Sequence, residues 1–565
     1  MATKNVMDGG EAIIQAFRDL EMDYVMSSPG SEWGAVWEAF ARQQANKGKG
    51  PKYLTCWHET LAVNLATGYT MMSGRMQGVL LHAGVGLMQG SMGVHGARLW
   101  GAPMVVMSGE SLTYGEQEGF DPGAQWIGSL SIPGGPNRLI EPMVKMSTQA
   151  TSSATLYEQI VRAGEMSQRP PVGPVYLNCP IETMLAPWTP PEKFRKVPRA
   201  PKARPSESDV ERIADMLVKA KNPVIVTEGA GREVEGYNAL VALAETLSIP
   251  VVEGAISEVS NFPKDHGLHQ GFELKPFMQT ADVVLLVRCR VPWYPAKNRP
   301  KGTVVMIDES PFKTHMVYQN FQADEYLEGH VPTTLQMLAE AVRAAKPDAA
   351  KVKEARGKWQ ASHDKIQEGY KQAEEKSRKN GSIHPLTLCS AYAGVLPKDT
   401  IYVDECTTHG ALNKRFIGYS GTQSYFKVPS GLGQGLGTAL GVKLGAGDRT
   451  VVSVIGDGAF LYNPVVQSLG VSRDENIPII MVVYNNHGYR AMKQNHLSYY
   501  PDGAGYQNNN FLGETITGLN YEELAKPFGG VGIKVDDRAQ LPDALKKAHA
   551  ATKDGKTAIV NVSLE

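Results

Sequence analysis

The chain has 565 residues, with 57 Lys and Arg against 58 Asp and Glu, a formal net charge of −1. At roughly 100–200 residues per domain this length implies about three to five domains, each with a core that needs no disulfide or metal staple. The charge balance excludes a strongly basic nucleic-acid or anionic-membrane binder as the default, and 42% apolar with 20% charged residues excludes a largely disordered chain.

Five cysteines (Cys56, Cys179, Cys289, Cys389 and Cys406) stand singly, none in CxxC spacing. Their odd number forbids a complete intramolecular disulfide set, so reduced thiols in a cytoplasmic protein are expected. The N-terminal MATKNVMDGGEAIIQAF has no apolar stretch of signal-peptide length. No run approaches the roughly 20 apolar residues of a membrane span. Neither nucleic acid nor membrane is expected as a partner.

Val- and Ile-rich runs follow one another along the chain: VVMSG (105–109), PVYLNCP (174–180), PVIVTEG (223–229), VVLLVR (283–288), TVVMID (303–308), VVSVIGDG (451–458) and IPIIMVVYNN (477–486). Segments of helical period separate them. Uninterrupted apolar strands between helices are covered on both faces, which predicts α/β architecture with doubly wound parallel sheets. The stretch 186–208 carries six prolines and many cations and reads as a linker. The charged region 346–383 reads as a solvated helix ending at Gly381. Cutting at these places gives three α/β units, 1–188, 205–345 and 380–565.

The most informative stretch is Gly456-Asp457-Gly458, followed after 26 residues by Asn485-Asn486. The apolar strand 451–455 ends at Gly456, and the glycines allow a sharp turn and close approach to a ligand. A helix is expected at about 463–472, then a parallel strand at 477–484. The right-handed crossover makes the two loops neighbours at one carboxyl edge. Asp457 and Asn486 then present a carboxylate and an amide oxygen to one point, and the Gly488 carbonyl adds a third oxygen. Such hard ligands suit Mg²⁺, which completes its octahedron with water and phosphate. The amides after Gly458 would hold the phosphate. The residues together read as a site for a diphosphate held through a divalent cation.

GDG followed by NN at this spacing resembles the signature of the thiamine-diphosphate enzymes of the acetolactate synthase, pyruvate decarboxylase and benzoylformate decarboxylase group. The resemblance covers the whole chain as pyrimidine-binding, central and diphosphate-binding domains. It implies thiamine diphosphate and Mg²⁺ as cofactors, with Asp457, Asn486 and Gly488 as metal ligands and Gly456, Gly458 and Ala459 beside the diphosphate. A second block, Cys56-Trp57-His58-Glu59 continuing to Gly68-Tyr69, resembles the family's HE…GYAR segment. It implies that Glu59 hydrogen-bonds the aminopyrimidine N1′ and so promotes formation of the nucleophilic ylide. A third, Ser430-Gly431-Leu432-Gly433-Gln434-Gly435, implies that the Ser430 carbonyl accepts from the 4′-amino group and that Leu432 bends the cofactor. Thr408 and His409, after the strand TIYVDEC, would touch the diphosphate.

On the substrate side, Ser31 in PGS resembles the carboxylate-binding serine of benzoylformate decarboxylase. His82 in LHAG resembles that enzyme's proton-relaying histidine. Gln117 resembles the glutamine that binds intermediates in acetolactate synthases. Ala491 and Met492 form an apolar wall suited to an aryl or long-alkyl substituent. The family's second active-site histidine is not evident, since Val291-Pro292-Trp293-Tyr294 stands at the matching stretch.

The resemblance implies a lyase that decarboxylates a small-molecule 2-oxo acid through an enamine and releases an aldehyde. The alternative is an acetolactate-synthase-like carboligase that joins the enamine to a second carbonyl. A 2-hydroxyacyl-CoA lyase and a non-catalytic nucleotide-binding protein rank below both. Gly229-Ala230-Gly231 lacks the third glycine of a dinucleotide loop, so FAD is left open and not predicted. By the same resemblance the protein is a homodimer or homotetramer with active sites between subunits.

Overall fold

The computed structural model describes residues 7–116, 121–194, 196–316, 322–378, 382–428 and 430–565. It holds three wholly parallel sheets flanked by helices, the α/β class expected. The first has six strands, β1 (Tyr24–Ser27), β2 (Lys52–Thr55), β3 (Gln77–Leu81), β4 (Met104–Ser108), β5 (Ser147–Gln149) and β6 (Val175–Asn178), in the order β2-β1-β3-β4-β6-β5. The second has five, β7 (Pro223–Thr227), β8 (Val251–Glu253), β9 (Val283–Val287), β10 (Thr303–Asp308) and β11 (Glu325–Glu328), in the order β11-β10-β9-β7-β8. The third has six, β12 (Ile401–Glu405), β13 (Tyr425–Lys427), β14 (Val451–Gly456), β15 (Ile480–Asn485), β16 (Val531–Val535) and β17 (Ala558–Ser563). Their order, β13-β12-β14-β15-β17-β16, repeats that of the first sheet.

Every residue of β3, β4 and β15 is buried. Such strands give a ligand little access to their faces, and the groups a ligand can reach stand at their carboxyl ends. In open parallel sheets the ligand crevice lies where the strand order reverses. These reversals fall between β1 and β3, between β7 and β9 and between β12 and β14.

The chain divides into two compact units. One is Met1–Pro201 with Pro429–Gly447 and Tyr462–Pro478; the other is Lys202–Val428 with Asp448–Leu461 and Ile479–Glu565. In the second unit the central and third sheets are tied by backbone: Lys427 N–H donates to the Glu258 carbonyl at 2.7 Å and Ser260 N–H to the Tyr425 carbonyl at 3.2 Å. Lys264 Nζ donates to the carbonyls of Lys414 and Ile417 at 2.7 and 2.8 Å, capping the short helix Gly410–Phe416. The charged region forms the helix Ala349–Ser377, opened by Asp348 and with His363 as its one buried residue. The expected end at Gly381 lies outside the described residues. A short helix, Asp457–Tyr462, precedes the one expected at about 463–472, which spans Val465–Asp474, with Pro464 between them. The first starts directly off β14 because the Asp457 carboxylate accepts the Gly458 amide at 2.8 Å. All five cysteines are buried and free.

In the first unit the helices Glu59–Ser73 and Gly435–Ala446 meet backbone to backbone. A Cβ on Gly68 would lie 2.1 Å from the Thr438 carbonyl oxygen, and one on Gly441 2.0 Å from that of Leu65. Glycine is required at both crossings. Gly441→Val is expected to lower the unfolding free energy by about 1–3 kcal/mol in chemical denaturation, the range for overpacking.

Candidate functional site

Sequence-predicted residues gather at two sheet edges, one in each compact unit. In the first unit, Glu59 is the first residue of the helix Glu59–Ser73. His58 caps that helix, its Nδ1 accepting the Thr60 amide at 3.1 Å. Glu59 is half-buried, and Leu54, Leu61 and Ala62 nearby are buried. His82 follows β3. A Cβ on Gly86 would lie 2.7 Å from the His82 Cβ and 3.1 Å from Glu59 Oε1. That glycine therefore lets the imidazole and the carboxylate approach the opening of the helix Val85–Trp100 together.

Among the described residues the His82 imidazole pairs with a carboxylate. Its Nδ1 lies 2.8 Å from Glu32 Oε2 and 3.0 Å from Oε1. The Glu32 side chain is wholly buried, and its Oε1 also accepts the Ala83 amide at 2.7 Å. The hydrogen bond to Glu32 holds the imidazolium above its ordinary 6.5, against the opposing effect of burial; the charges of Glu32, Glu59 and Glu110 add to it. Glu110, just past β4, accepts the Gly84 amide at 2.9 Å. Burial pushes its carboxyl up to about 7.

Neither Glu32 nor Glu110 is singled out by sequence reasoning. The signal available was a carboxylate following a fully apolar strand or its turn. Ser31 is exposed at the start of the turn Ser31–Trp33, next to Glu32. Gln117 lies outside the described residues. The Ser430–Gln434 loop rests on the two helices that follow Glu59 and His82. Asn64 Nδ2 donates to the Gly433 carbonyl at 3.3 Å and Gln434 Nε2 to that of Met92 at 3.1 Å. Leu432 is half-buried there.

In the second unit, β14 and β15 pair in parallel with Gly456 opposite Tyr484, so their ends lie side by side. Asp457 is 2% exposed, and its Oδ2 accepts the Gly488 amide at 3.0 Å. Burial raises its carboxyl above the usual range, while amides of Gly458, Gly488 and His487 pull it back. Asn486, 7% exposed, has its Oδ1 buried without a hydrogen-bond partner among the described residues. A Cβ on Gly456 would meet nothing within 4 Å. An orphaned amide oxygen beside a buried carboxylate, with open space over the glycine, fits a hard divalent cation and a phosphate. Asn485 serves its own strand instead, donating to Asn561 Oδ1 at 3.1 Å and accepting the His487 amide at 3.2 Å.

Thr408 and His409 lie in the turn after β12, across the strand-order reversal from Gly456. His409 Nε2 is buried without a hydrogen-bond partner among the described residues. Burial, then the charge of Arg490, lowers its imidazolium to about 4. Past the asparagines, Ala491 and Met492 open the helix Arg490–Tyr499, with Met492 52% exposed. At the central sheet the glycines serve the chain itself. The Gly231 amide donates to Asn261 Oδ1 at 3.0 Å, and Arg288 Nη1 donates to the Gly229 carbonyl at 3.3 Å.

Three family profiles match the chain: the N-terminal TPP binding domain of thiamine pyrophosphate enzymes at residues 7–126, their central domain at 210–338 and their C-terminal TPP binding domain at 406–562. Benzoylformate decarboxylase of Pseudomonas aeruginosa is 26% identical over 521 residues, 89% of this chain and 90% of the relative. The acetolactate synthase isozyme 3 large subunit of Escherichia coli is 23% identical over 579 residues, 99% of this chain and 95% of the relative. The crystal structure of benzoylformate decarboxylase from Polynucleobacter necessarius shares the fold, with a TM-score of 0.78 at 20% identity, covering 99% of this chain and 98% of that one.

Because the folded state holds His409 neutral, the unfolded chain takes up its proton first as pH falls from 6.5 toward 4. His409→Gln should therefore flatten the loss of stability across that window, read from denaturation midpoints against pH. The His409 ring resonances of the parent protein should titrate near 4.

Proposed function

We propose, since this chain belongs to the thiamine pyrophosphate enzymes, that it decarboxylates a 2-oxo acid with an aryl or bulky apolar substituent and releases the aldehyde, using thiamine diphosphate and Mg²⁺. The observation that carries this reading is the His82 imidazole clamped at Nδ1 by a buried carboxylate, beside Glu59. Loss of CO2 leaves an electron pair on the former carbonyl carbon, and an oriented imidazolium with a free nitrogen is the acid that carbon needs.

Asp457, Asn486 and the Gly488 carbonyl would hold Mg²⁺. The amides of Gly458 and Ala459, with Thr408 and His409, would receive the diphosphate. Glu59 would share a proton with the aminopyrimidine, with the Ser430 carbonyl and Leu432 setting its orientation. When bound, the coenzyme supplies a nucleophilic carbon and an electron sink. The protein's own work is positional and protonic. Ser31 binds the substrate carboxylate, Ala491 and Met492 exclude water from its substituent, and His82 supplies the proton at Nε2. The assembly expected is a homodimer or homotetramer, to be read by light scattering.

A carboligase is the second reading, favoured by the match to acetolactate synthase along 95% of that relative's length. A panel of 2-oxo acids with coenzyme and Mg²⁺, followed by CO2 release, tests the reaction. Aldehyde as sole product supports decarboxylation, and a hydroxyketone formed with an added acceptor supports ligation. Glu59→Gln is expected to cut turnover by about 10²–10⁴-fold, the range for a lost acid–base group. Near-normal rates would refute the role given to Glu59. Asp457→Ala should abolish Mg²⁺-dependent uptake of thiamine diphosphate in calorimetry.

A further inference from the structure

The proposed reaction consumes one proton per turnover: R–CO–COO⁻ + H⁺ gives R–CHO + CO2. The C–COO⁻ bond breaks, its electron pair stays with the former carbonyl carbon, and a C–H bond forms there. A single imidazole that gives up its proton must be recharged, and the second histidine that could do so is not evident in the sequence. Three carboxylates surround His82. Glu32 holds Nδ1 from the turn after β1, Glu59 approaches from the opening of its helix, and Glu110 stands past β4.

We infer that Glu32, His82 and Glu110 form one proton-handling unit, in which Glu32 fixes His82 with Nε2 free for the reacting carbon and Glu110 stores the proton that recharges it. The inference rests on the decarboxylase reading.

Glu32 is a positioning residue. Its side chain is fully buried, both oxygens are within 3.0 Å of Nδ1, and the Ala83 amide pins Oε1 at 2.7 Å. A carboxylate held this way accepts Nδ1–H, so the proton that leaves is the one on Nε2. Glu110 differs in having one short amide contact, to Gly84. It is faced by Glu32 and His82, and from β6 by the neutral hydroxyl of Tyr176, which shares a hydrogen bond with Ser108 Oγ at 2.6 Å. Two carboxyl groups beside one imidazole do not both ionise freely. Glu32 is committed to the imidazole by geometry, both its oxygens lying within 3.0 Å of Nδ1, and Glu110 keeps its proton to about pH 7. In turnover the Nε2–H bond breaks as C–H forms. The Glu110 proton then restores Nε2–H, and water reprotonates Glu110.

The test uses the full-length protein and the variants Glu32→Gln and Glu110→Gln. Glutamine at 110 keeps an acceptor for the Gly84 amide and removes only the titratable proton. In the protein without coenzyme, NMR should show the His82 ring titrating above 6.5 in the parent and below it in Glu32→Gln. If Glu32→Gln does not fold, Glu32→Asp should lower the His82 titration in the same direction. Infrared difference spectra at neutral pH should show a protonated-carboxyl band that disappears in Glu110→Gln. With substrate, Glu110→Gln should lower kcat about tenfold with KM little changed, and remove the limb of the pH profile near 7. An unshifted His82 titration, a persistent infrared band or an unaltered pH profile would overturn the inference. Both spectroscopic measurements need no substrate. If the 2-oxo acid panel releases no CO2 while they hold, the reaction assignment fails and the coupling of the three side chains stands.

Discussion

Parallel strands buried on both faces set the terms for this molecule. Each strand's interior holds mostly apolar side chains, its few polar ones, such as Tyr176 and Asn561, bonded to neighbouring side chains, and its backbone groups are consumed by its neighbours. The charged and hydrogen-bonding groups of the candidate sites gather in the few residues after the carboxyl ends. At the first sheet these are Ser31, Glu32, His82 and Glu110; at the third, Thr408, His409, Asp457 and Asn486. The reversals of strand order, β1 against β3 and β12 against β14, decide which loops become neighbours.

That constraint explains what could be read from the sequence. The fold class was legible because doubly covered strands are written as unbroken Val and Ile runs, such as VVLLVR and IPIIMVVYNN. The pairing of Asp457 with the Asn486 loop was legible because one helical crossover separates them. Glu32 and Glu110 were not. They stand 50 residues from His82 and 26 residues from Gly84, and a glutamate after Ser31 or after a Ser-Gly pair reads as an ordinary turn acid. Only the adjacency of β1, β3 and β4 brings them together. The short helix Asp457–Tyr462, directly after β14, went unread for a local reason. Asp457 caps the amide of Gly458, so the helix needs no loop to begin.

The two sheet edges solve opposite electrostatic problems. Around His82, negative charge is concentrated and compensated by one imidazolium and two backbone amides. Around Asp457 a carboxylate is held by amides, with an unsatisfied Asn486 oxygen and a neutral His409 near the same edge. Buried polar atoms without partners cost free energy that a rigid fold must supply elsewhere. Here the backbone-tight helix pair at Gly68 and Gly441 and the lysine-capped seam between the central and third sheets supply rigidity. The repeat of one strand order in the first and third sheets gives both edges the same framework for different chemistry.

The five sequestered cysteines have a practical corollary. Burial pushes the Cys389 thiol up to about 12 and raises those of Cys56, Cys179, Cys289 and Cys406 as well. Thiolate is the species that reacts with maleimides and alkylating reagents, and none of these side chains offers it at neutral pH. The native protein is thus its own blank for labelling. A cysteine introduced on an exposed surface would take a fluorophore or spin label selectively, with the wild-type thiols left in place.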